Sequence, residues 1–245
     1  MMNAEIFLSD IDEKRFGIKV AKVKDITSDY WSTVMRFCLT NKVALLIARC
    51  STAEVTTIQA MEKEGFILTD TLVYYKKEIH NKAIPYNEGQ VRIRPIRQGE
   101  ENRIKEIAQG AFRGYYGHYH ADERLNRLAC NEVYIDWAFR SCLSKDMADM
   151  VLVAELGNSV VGFATLQIKS PDTGEGVLFG VAPEAQRHGV YRAMMIGGMI
   201  YLKEKGLKQM VVSTQIMNIA VQKVWTRLGF EPSHSYYTSH KWFVD

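Results

Sequence analysis

The chain has 245 residues, of which 47% are hydrophobic and 24% charged, so one large globular domain or two small ones is expected. Five prolines and 17 glycines exclude a collagen-like or Pro/Gly-rich disordered chain, and a net charge of +3 is too small to imply a nucleic-acid binder. It leaves basic residues free for an anionic ligand.

Met1-Met2-Asn3-Ala4-Glu5 lacks the basic region and apolar core of a signal peptide. The longest uncharged apolar run, 193–202, is far short of the ~20 residues that cross a membrane. Cys38, Cys50, Cys130 and Cys142 form no CxxC pair, which argues against a zinc site or disulfide framework and for a reducing compartment. The expectation is a cytoplasmic protein with neither membrane nor nucleic acid as partner.

In chain order, FGIKVAKV (16–23) reads as a strand, 30–39 as a helix and VALLIARC (43–50) as a buried strand. A helix over 52–64 ends at Gly65, and 67–77 reads as a strand. HNKAIPYNEGQ (80–90) has no apolar period and contains Asn, Pro and Gly, so it is read as a boundary. The division is 1–80, a linker over 81–90, and 91–245.

After it come a strand at 91–96 and two helices, one carrying Ile104, Ile107, Ala108, Ala111 and Phe112, the other Tyr134, Trp137, Ala138, Ser141 and Cys142 on one face. The aromatic stretch GYYGHYHADE (114–123) lies between them. MVLVAEL-GN-SVVGFATLQI (150–168) is a hairpin, with Gly157-Asn158 expected to supply positive φ. A strand at 176–183, a helix at 189–205 closed by Gly206, a strand at 209–215, a helix at 218–228 and a strand within 235–243 complete the chain. This order gives an α/β or α+β sheet with helices on both faces.

Both parts end alike, as strand, short loop, helix, Gly-Phe (Gly65-Phe66; Gly229-Phe230), then a strand with paired tyrosines. Chance repetition of a common unit and a degenerate duplication both account for this. Aligned on Gly-Phe, Asn218 falls opposite Glu54, so the first copy is read as structural.

The strongest chemical signal is GVLFGVAPEAQRHGVYRAMM (176–195), a strand, a loop and at once a helix. Unpaired N–H groups and the dipole make a helix start an anion cradle, Gly189 permits close backbone approach, and Arg187, His188 and Arg192 add positive charge. A plain strand–loop–helix connection is the competing reading, and neither a Walker loop nor GxGxxG is present.

Val181-Ala182-Pro183 and Gln186 to Gly189 resemble the acyl-CoA motif of the GCN5-related N-acetyltransferases, Gln/Arg-x-x-Gly-x-Gly/Ala after a strand ending Val-x-Pro. Asn218-Ile219-Ala220-Val221 and Gly229-Phe230 are similar to the family's next landmarks. The resemblance implies a mixed, mostly antiparallel twisted sheet and acetyl-CoA as cosubstrate, with no metal. It places Phe179, Val181, Gln186, Arg187, His188, Gly189, Val190, Tyr191, Arg192 and Asn218 at the cosubstrate. Two residues depart from the pattern. Tyr191 stands where the family has Gly or Ala, so that its bulk is expected to tilt the helix start or narrow the pyrophosphate pocket. Trp225 stands where the family often has the Tyr that protonates the departing thiolate.

Indole is no practical general acid, so Trp225 orients the thiolate while water supplies the proton, or His234, Tyr236 or Tyr237 has taken over, or catalysis is lost. Asn218, Trp225 and Tyr237 are the catalytic set carried forward. A strand N–H near 179–181 is expected to stabilise the oxyanion of a direct attack by the amine. No base is identified.

A narrower resemblance is to TDP-fucosamine N-acetyltransferases, on Phe16-Gly17, Ala111-Phe112, the aromatic loop, Tyr134-Ile135-Asp136-Trp137 and Val212 to Gln215 with Asn218. It implies an amino sugar carried on a nucleotide as the small amine acceptor. Tyr116, His118, Tyr119, His120 and Trp137 are its expected contacts, and Arg113, Arg124 and Arg127 would meet a diphosphate. His118 and His120 with Asp122 and Glu123 complete no metal motif. A protein N-terminus, an amino acid or a polyamine is the rival acceptor, a CoA-binding module without turnover the rival class, and a homodimer the one protein partner considered.

Overall fold

A computed structural model describes residues 5–87 and 89–243. Met1 to Ala4 of the leader reading and Glu88 of the linker lie outside the described residues. The first half runs β1 (Glu5–Leu8), α1 (Asp10–Phe16), β2 (Val20–Lys24), α2 (Trp31–Thr40), β3 (Leu45–Ser51), α3 (Val55–Lys63) and β4 (Ile67–Glu78). The second runs β5 (Arg92–Pro95), α4 (Glu101–Ala111), α5 (Arg127–Leu143), β6 (Met150–Leu156), β7 (Ser159–Ser170), β8 (Thr173–Val181), α6 (Val190–Glu204), β9 (Gln209–Gln215), α7 (Ile219–Arg227) and β10 (Glu231–Trp242).

The strands form one sheet in the order β1-β2-β3-β10-β4-β9-β8-β7-β6-β5. Its pairs are antiparallel except β2 with β3 and β8 with β9. The order interleaves the halves at the centre, where β10 pairs with β3 and β4 with β9. Each half thus completes its sheet with the last strand of the other.

Alternation of side chains assigns the layers. Ala48 and Cys50 of β3 join Val34, Cys38 and Met61 of α2 and α3 in one core. On the opposite face Leu45 and Ile47 pack with Tyr119, Leu125, Cys130 and Val133 from the aromatic loop and α5. The larger core of the second half joins Ile104 and Ile107 of α4, Phe163 of the sheet, and Met194, Met195 and Met199 of α6.

Three readings are corrected. Phe16 closes a helix and the strand begins at Val20, because Gly17 (φ 68°) caps α1, whose first turn is acidic and last turn basic. The alternation of Phe16, Ile18 and Val20 imitates a strand across that cap. In the β6–β7 turn Gly157 takes φ 60° but Asn158 is not among the positive-φ residues, so the two-residue loop needs glycine only at its first position. The last strand starts at Glu231, four residues early, and tolerates Pro232 because the ladder to β4 shifts register between Pro232 and His234. Among the described residues no helix is long and apolar enough to cross a membrane.

Candidate active site

β8 and β9 pair in parallel only from Thr173 opposite Gln209 to Gly176 opposite Val212. β8 then runs on to Val181 and β9 to Gln215 without pairing to each other, so the two strands splay into a wedge. On the β7 side, Leu178 N–H donates to Thr165 Oγ1 and Ala182 N–H to Val161 O. Successive strand N–H groups point to opposite sides, which turns those of Phe179 and Val181 into the wedge.

Beyond β8 the loop reaches α6 through two left-handed residues, Arg187 (φ 67°) and Gly189 (φ 75°), the latter at the N-cap. Non-glycine positive φ is a strained state that clusters at functional sites. No side chain caps α6, so its first-turn N–H groups stay open, and a Cβ built on Gly189 would meet nothing within 4 Å. A cleft of about 480 Å³ lies here, between the loop and start of α6 and the face of α7 that carries Ala220, Val224 and Arg227. Arg187, Arg192 and Arg227 line it, and no carboxylate does. Open helix N–H groups with three guanidinium groups suit the phosphates of a CoA-type ligand. His188 turns its ring to Gln186 O (2.9 Å).

Tyr191, at the start of α6, lines the cleft. Its ring turns towards Phe179 (centroids 5.5 Å apart), and its hydroxyl accepts the indole N–H of Trp225 at 2.9 Å. Trp225 itself is buried, packs on Tyr75 and does not line the cleft, whereas Tyr191 does. Burial pushes the Tyr191 phenol up against the opposing pull of the Trp225 bond, which keeps it protonated. Asn218 caps α7, its Oδ1 accepting from Val221 N–H and its Nδ2 donating to Thr214 Oγ1 (3.0 Å). Tyr237 sits between Cys50 and Thr71 in the sheet, two strands from β9, and does not line the cleft.

On the other face of the sheet the aromatic loop descends to the wedge, where Gln215 Nε2 donates to Tyr116 O (2.8 Å) and to Asp70 Oδ2 (3.1 Å). Tyr116 is exposed, under the guanidinium of Arg127. The neighbouring side chains are already engaged. His118 Nδ1 meets His240 Nε2 at 3.0 Å, and His240 Nδ1 meets Asp122 Oδ2 at 2.7 Å. Burial, then the nearby His240 and Arg49, push His118 well below the ordinary imidazole range and keep it neutral.

Tyr119 donates to Asp12 Oδ1 (3.0 Å) beside the Asp12–Lys22 ion pair, and His120 is held by Gly117 N–H and Asn131. Trp137 packs beside Tyr134 against the core. Arg127 is bonded to His120 O, Arg124 lies over Trp242, and Arg113 is exposed. The loop is therefore anchored to the first half through Tyr119 and to β10 through His118, and Tyr116 is the expected contact that stays open. Among the described residues no three His, Cys, Asp or Glu side chains are grouped to hold a metal ion.

Arg227 and Asp70 were missed by sequence reasoning. Arg227 was within reach, since Ala220, Val224 and Arg227 follow helical spacing on one face. Asp70 gave no local signal, because a strand of the first half carries it to a site of the second.

A sequence model of the Acetyltransferase (GNAT) family matches residues 102–230, over half of the chain. The chain belongs to the GNAT acetyltransferase family. Mycothiol acetyltransferase of Nocardia farcinica is 33% identical over 78 residues, 31% of this chain and 26% of that protein, so the match spans about a quarter of that relative's length. Spore coat polysaccharide biosynthesis protein SpsD of Bacillus subtilis is 27% identical over 165 residues, 66% of this chain and 53% of its own. The fold is similar to a GCN5-related N-acetyltransferase of Sphaerobacter thermophilus, with a TM-score of 0.64 at 13% identity, covering 98% of this chain and 76% of that one.

Proposed function

We propose that this GNAT protein is an acetyl-CoA-dependent N-acetyltransferase acting on a small amine. The observation that carries the reading is the joined geometry of an uncapped, arginine-lined helix start and a strand wedge with two N–H groups turned into it. Acetyl-CoA supplies an already activated thioester. The first turn of α6 with Arg187, Arg192 and Arg227 holds its phosphates. Phe179 or Val181 N–H stabilises charge on the carbonyl oxygen as the amine attacks the carbonyl carbon and the carbon–sulfur bond breaks. The amine gives one proton to solvent water, and the sulfur gains one from a donor that takes a proton back from solvent. Tyr191 is the donor, its O–H free to point into the cleft because its oxygen already accepts from Trp225. Trp225 thus acts through Tyr191 as a positioning residue, and Asn218 fixes α7. The division into 1–80, 81–90 and 91–245 belongs to the same reading, with the first part supplying sheet and loop contacts.

For the acceptor we favour an amino sugar, nucleotide-linked as in the narrower resemblance. The polysaccharide-related name of SpsD, which matches 66% of this chain, supports a sugar. Tyr116 with the aromatic loop offers the surface for it. The test is CoA release from acetyl-CoA with TDP- and UDP-amino sugars, polyamines, amino acids and peptides, with product masses recorded. A mass gain of one acetyl group on an amino sugar is expected. Gain on a peptide or polyamine alone would overturn the acceptor, and acetyl-CoA binding without any product would favour a non-catalytic module.

A further inference from the structure

Three side chains with no role so far share one row of the sheet, on the face under the aromatic loop. Thr238 of β10 lies opposite Arg49 of β3 on one side and Asp70 of β4 on the other. Residues directly opposite in antiparallel pairs point to the same face, and strands lie about 5 Å apart, so Arg49 and Asp70 flank Thr238 with their backbones roughly 10 Å from each other. Thr238 is fully buried, yet its hydroxyl has no hydrogen-bond partner, a loss that normally costs stability.

The Arg49 guanidinium makes neither hydrogen bond nor ion pair among the described residues. Asp70, half-buried, accepts from the neutral Thr71 N–H (2.7 Å) and Gln215 Nε2 (3.1 Å); among the described residues no cation lies within ion-pair distance of it, and the charge of Arg49 reaches it only across the row. By contrast, the buried Asp12 is paired with Lys22 and Arg15. Burial raises the Asp70 carboxyl above its ordinary value, and the hydrogen bonds from Gln215 and Thr71 with the more distant charge of Arg49 offset that only in part.

The row has a direction. Crossing the sheet from β3 one meets Arg49, Thr238 and Asp70, then Gln215 at the end of β9, and then the wedge. We infer that Arg49, Thr238 and Asp70 form the acceptor subsite, and that the acceptor is a small amine that also carries an anionic group. Asp70, nearest the wedge, receives the amine, Thr238 takes a hydrogen bond from or to the body of the molecule, and Arg49 holds the anion. All three come from strands at the seam, and two of them from the first half. The first half therefore supplies acceptor specificity for a reaction carried out on the second.

This inference rests on the acetyltransferase reading, and its test separates the two. Paired probes differ only in the anion: glucosamine 6-phosphate against glucosamine, and glycine against glycinamide. Binding to the full chain is measured by calorimetry with and without CoA, and KM and kcat by CoA release, for wild type, Arg49→Gln and Asp70→Asn. Wild type is expected to bind the anionic member of at least one pair tenfold or more tightly. The pair that shows it separates a sugar phosphate from an amino acid.

Arg49→Gln should bring that ratio within about twofold. Asp70→Asn should raise KM for both members tenfold or more, with acetyl-CoA affinity and the thermal unfolding midpoint unchanged. Equal binding of both members by wild type, a ratio unmoved in Arg49→Gln, or no binding of any probe to the folded protein would overturn the subsite. A preserved anion preference with no acetyl-CoA binding would instead overturn the acetyltransferase reading and leave the subsite standing.

Discussion

The two strand–helix–strand units that end the halves match in size and differ in equipment. β3 and β9 have seven residues each, α3 and α7 nine, β4 and β10 twelve, and Gly65 and Gly229 turn at φ 78° and 80°. The preceding helices differ. α6 starts on a left-handed glycine with open N–H groups, while α2 is entered through a 3-10 turn over Ser28–Tyr30. β8 runs five residues past its last pair with β9, β2 only one past its last pair with β3. The first half has a cleft in the corresponding place, of about 270 Å³ and lined by Trp31, Thr57 and Lys63, without an arginine. The two units thus share lengths and turns, while the difference in ligand chemistry lies in a few residues at one strand end and one helix start.

The sharpest way to break this comparison is to separate the halves. Tyr119 reaches Asp12 in a buried cluster with Lys22 and Ser9. Asp12→Ala leaves Lys22 and Tyr119 without their partner and is expected to cost about 3–5 kcal/mol in chemical denaturation. A loss below about 1 kcal/mol would mean the halves hold together without it. Burial raises the Asp12 carboxyl, but the charge and hydrogen bond of Lys22, with Ser9 and Tyr119, outweigh it and leave the pKa lowered. Folding therefore depresses this pKa, so its stabilisation is complete above the ordinary carboxylate value near 4 and is lost as the pH falls through the folded value. Wild type should lose stability in that acid window more than Asp12→Ala does.

At the cleft, Tyr191→Phe keeps the ring against Phe179 and removes the hydroxyl. A fall in kcat of about 10- to 100-fold is expected, or about 1.4–2.7 kcal/mol, with acetyl-CoA affinity nearly unchanged. Unchanged kcat would assign the proton to water. The smallest effect concerns the helix caps, where Asn218 caps α7 and Glu54 leaves α3 uncapped. Asn218→Ala should lose about 1 kcal/mol, and Glu54→Asn should gain some tenths to about 1 kcal/mol. Equal responses would show that the two starts are not equivalent in geometry.

The family motif around Gly189 and the Gly-Phe echo were legible because they are local, carried by glycines with positive φ and by a helix start. The exchange of β4 and β10 was not, since sequence period says which residues form a strand but not which neighbour it takes. The same limit hid Asp70 and Arg49, whose role depends on lying beside Thr238 across strands far apart in the chain. His118, Tyr119 and His120 were legible as a chemically dense loop, yet the partners that engage the first two, Asp12, Lys22 and His240, come from elsewhere in the chain. Tyr191 stood out as a departure, and its direction became clear only with Trp225 facing it.

The central claim is that one half carries the anion cradle and the other does not. Calorimetric titration of acetyl-CoA into wild type, Ser28→Glu and Gly189→Glu tests it most directly. The account predicts one site per chain, unaffected by Ser28→Glu and weakened at least 100-fold by Gly189→Glu, which puts bulk and negative charge at the helix start. Two sites per chain, or wild-type affinity in Gly189→Glu, would contradict it.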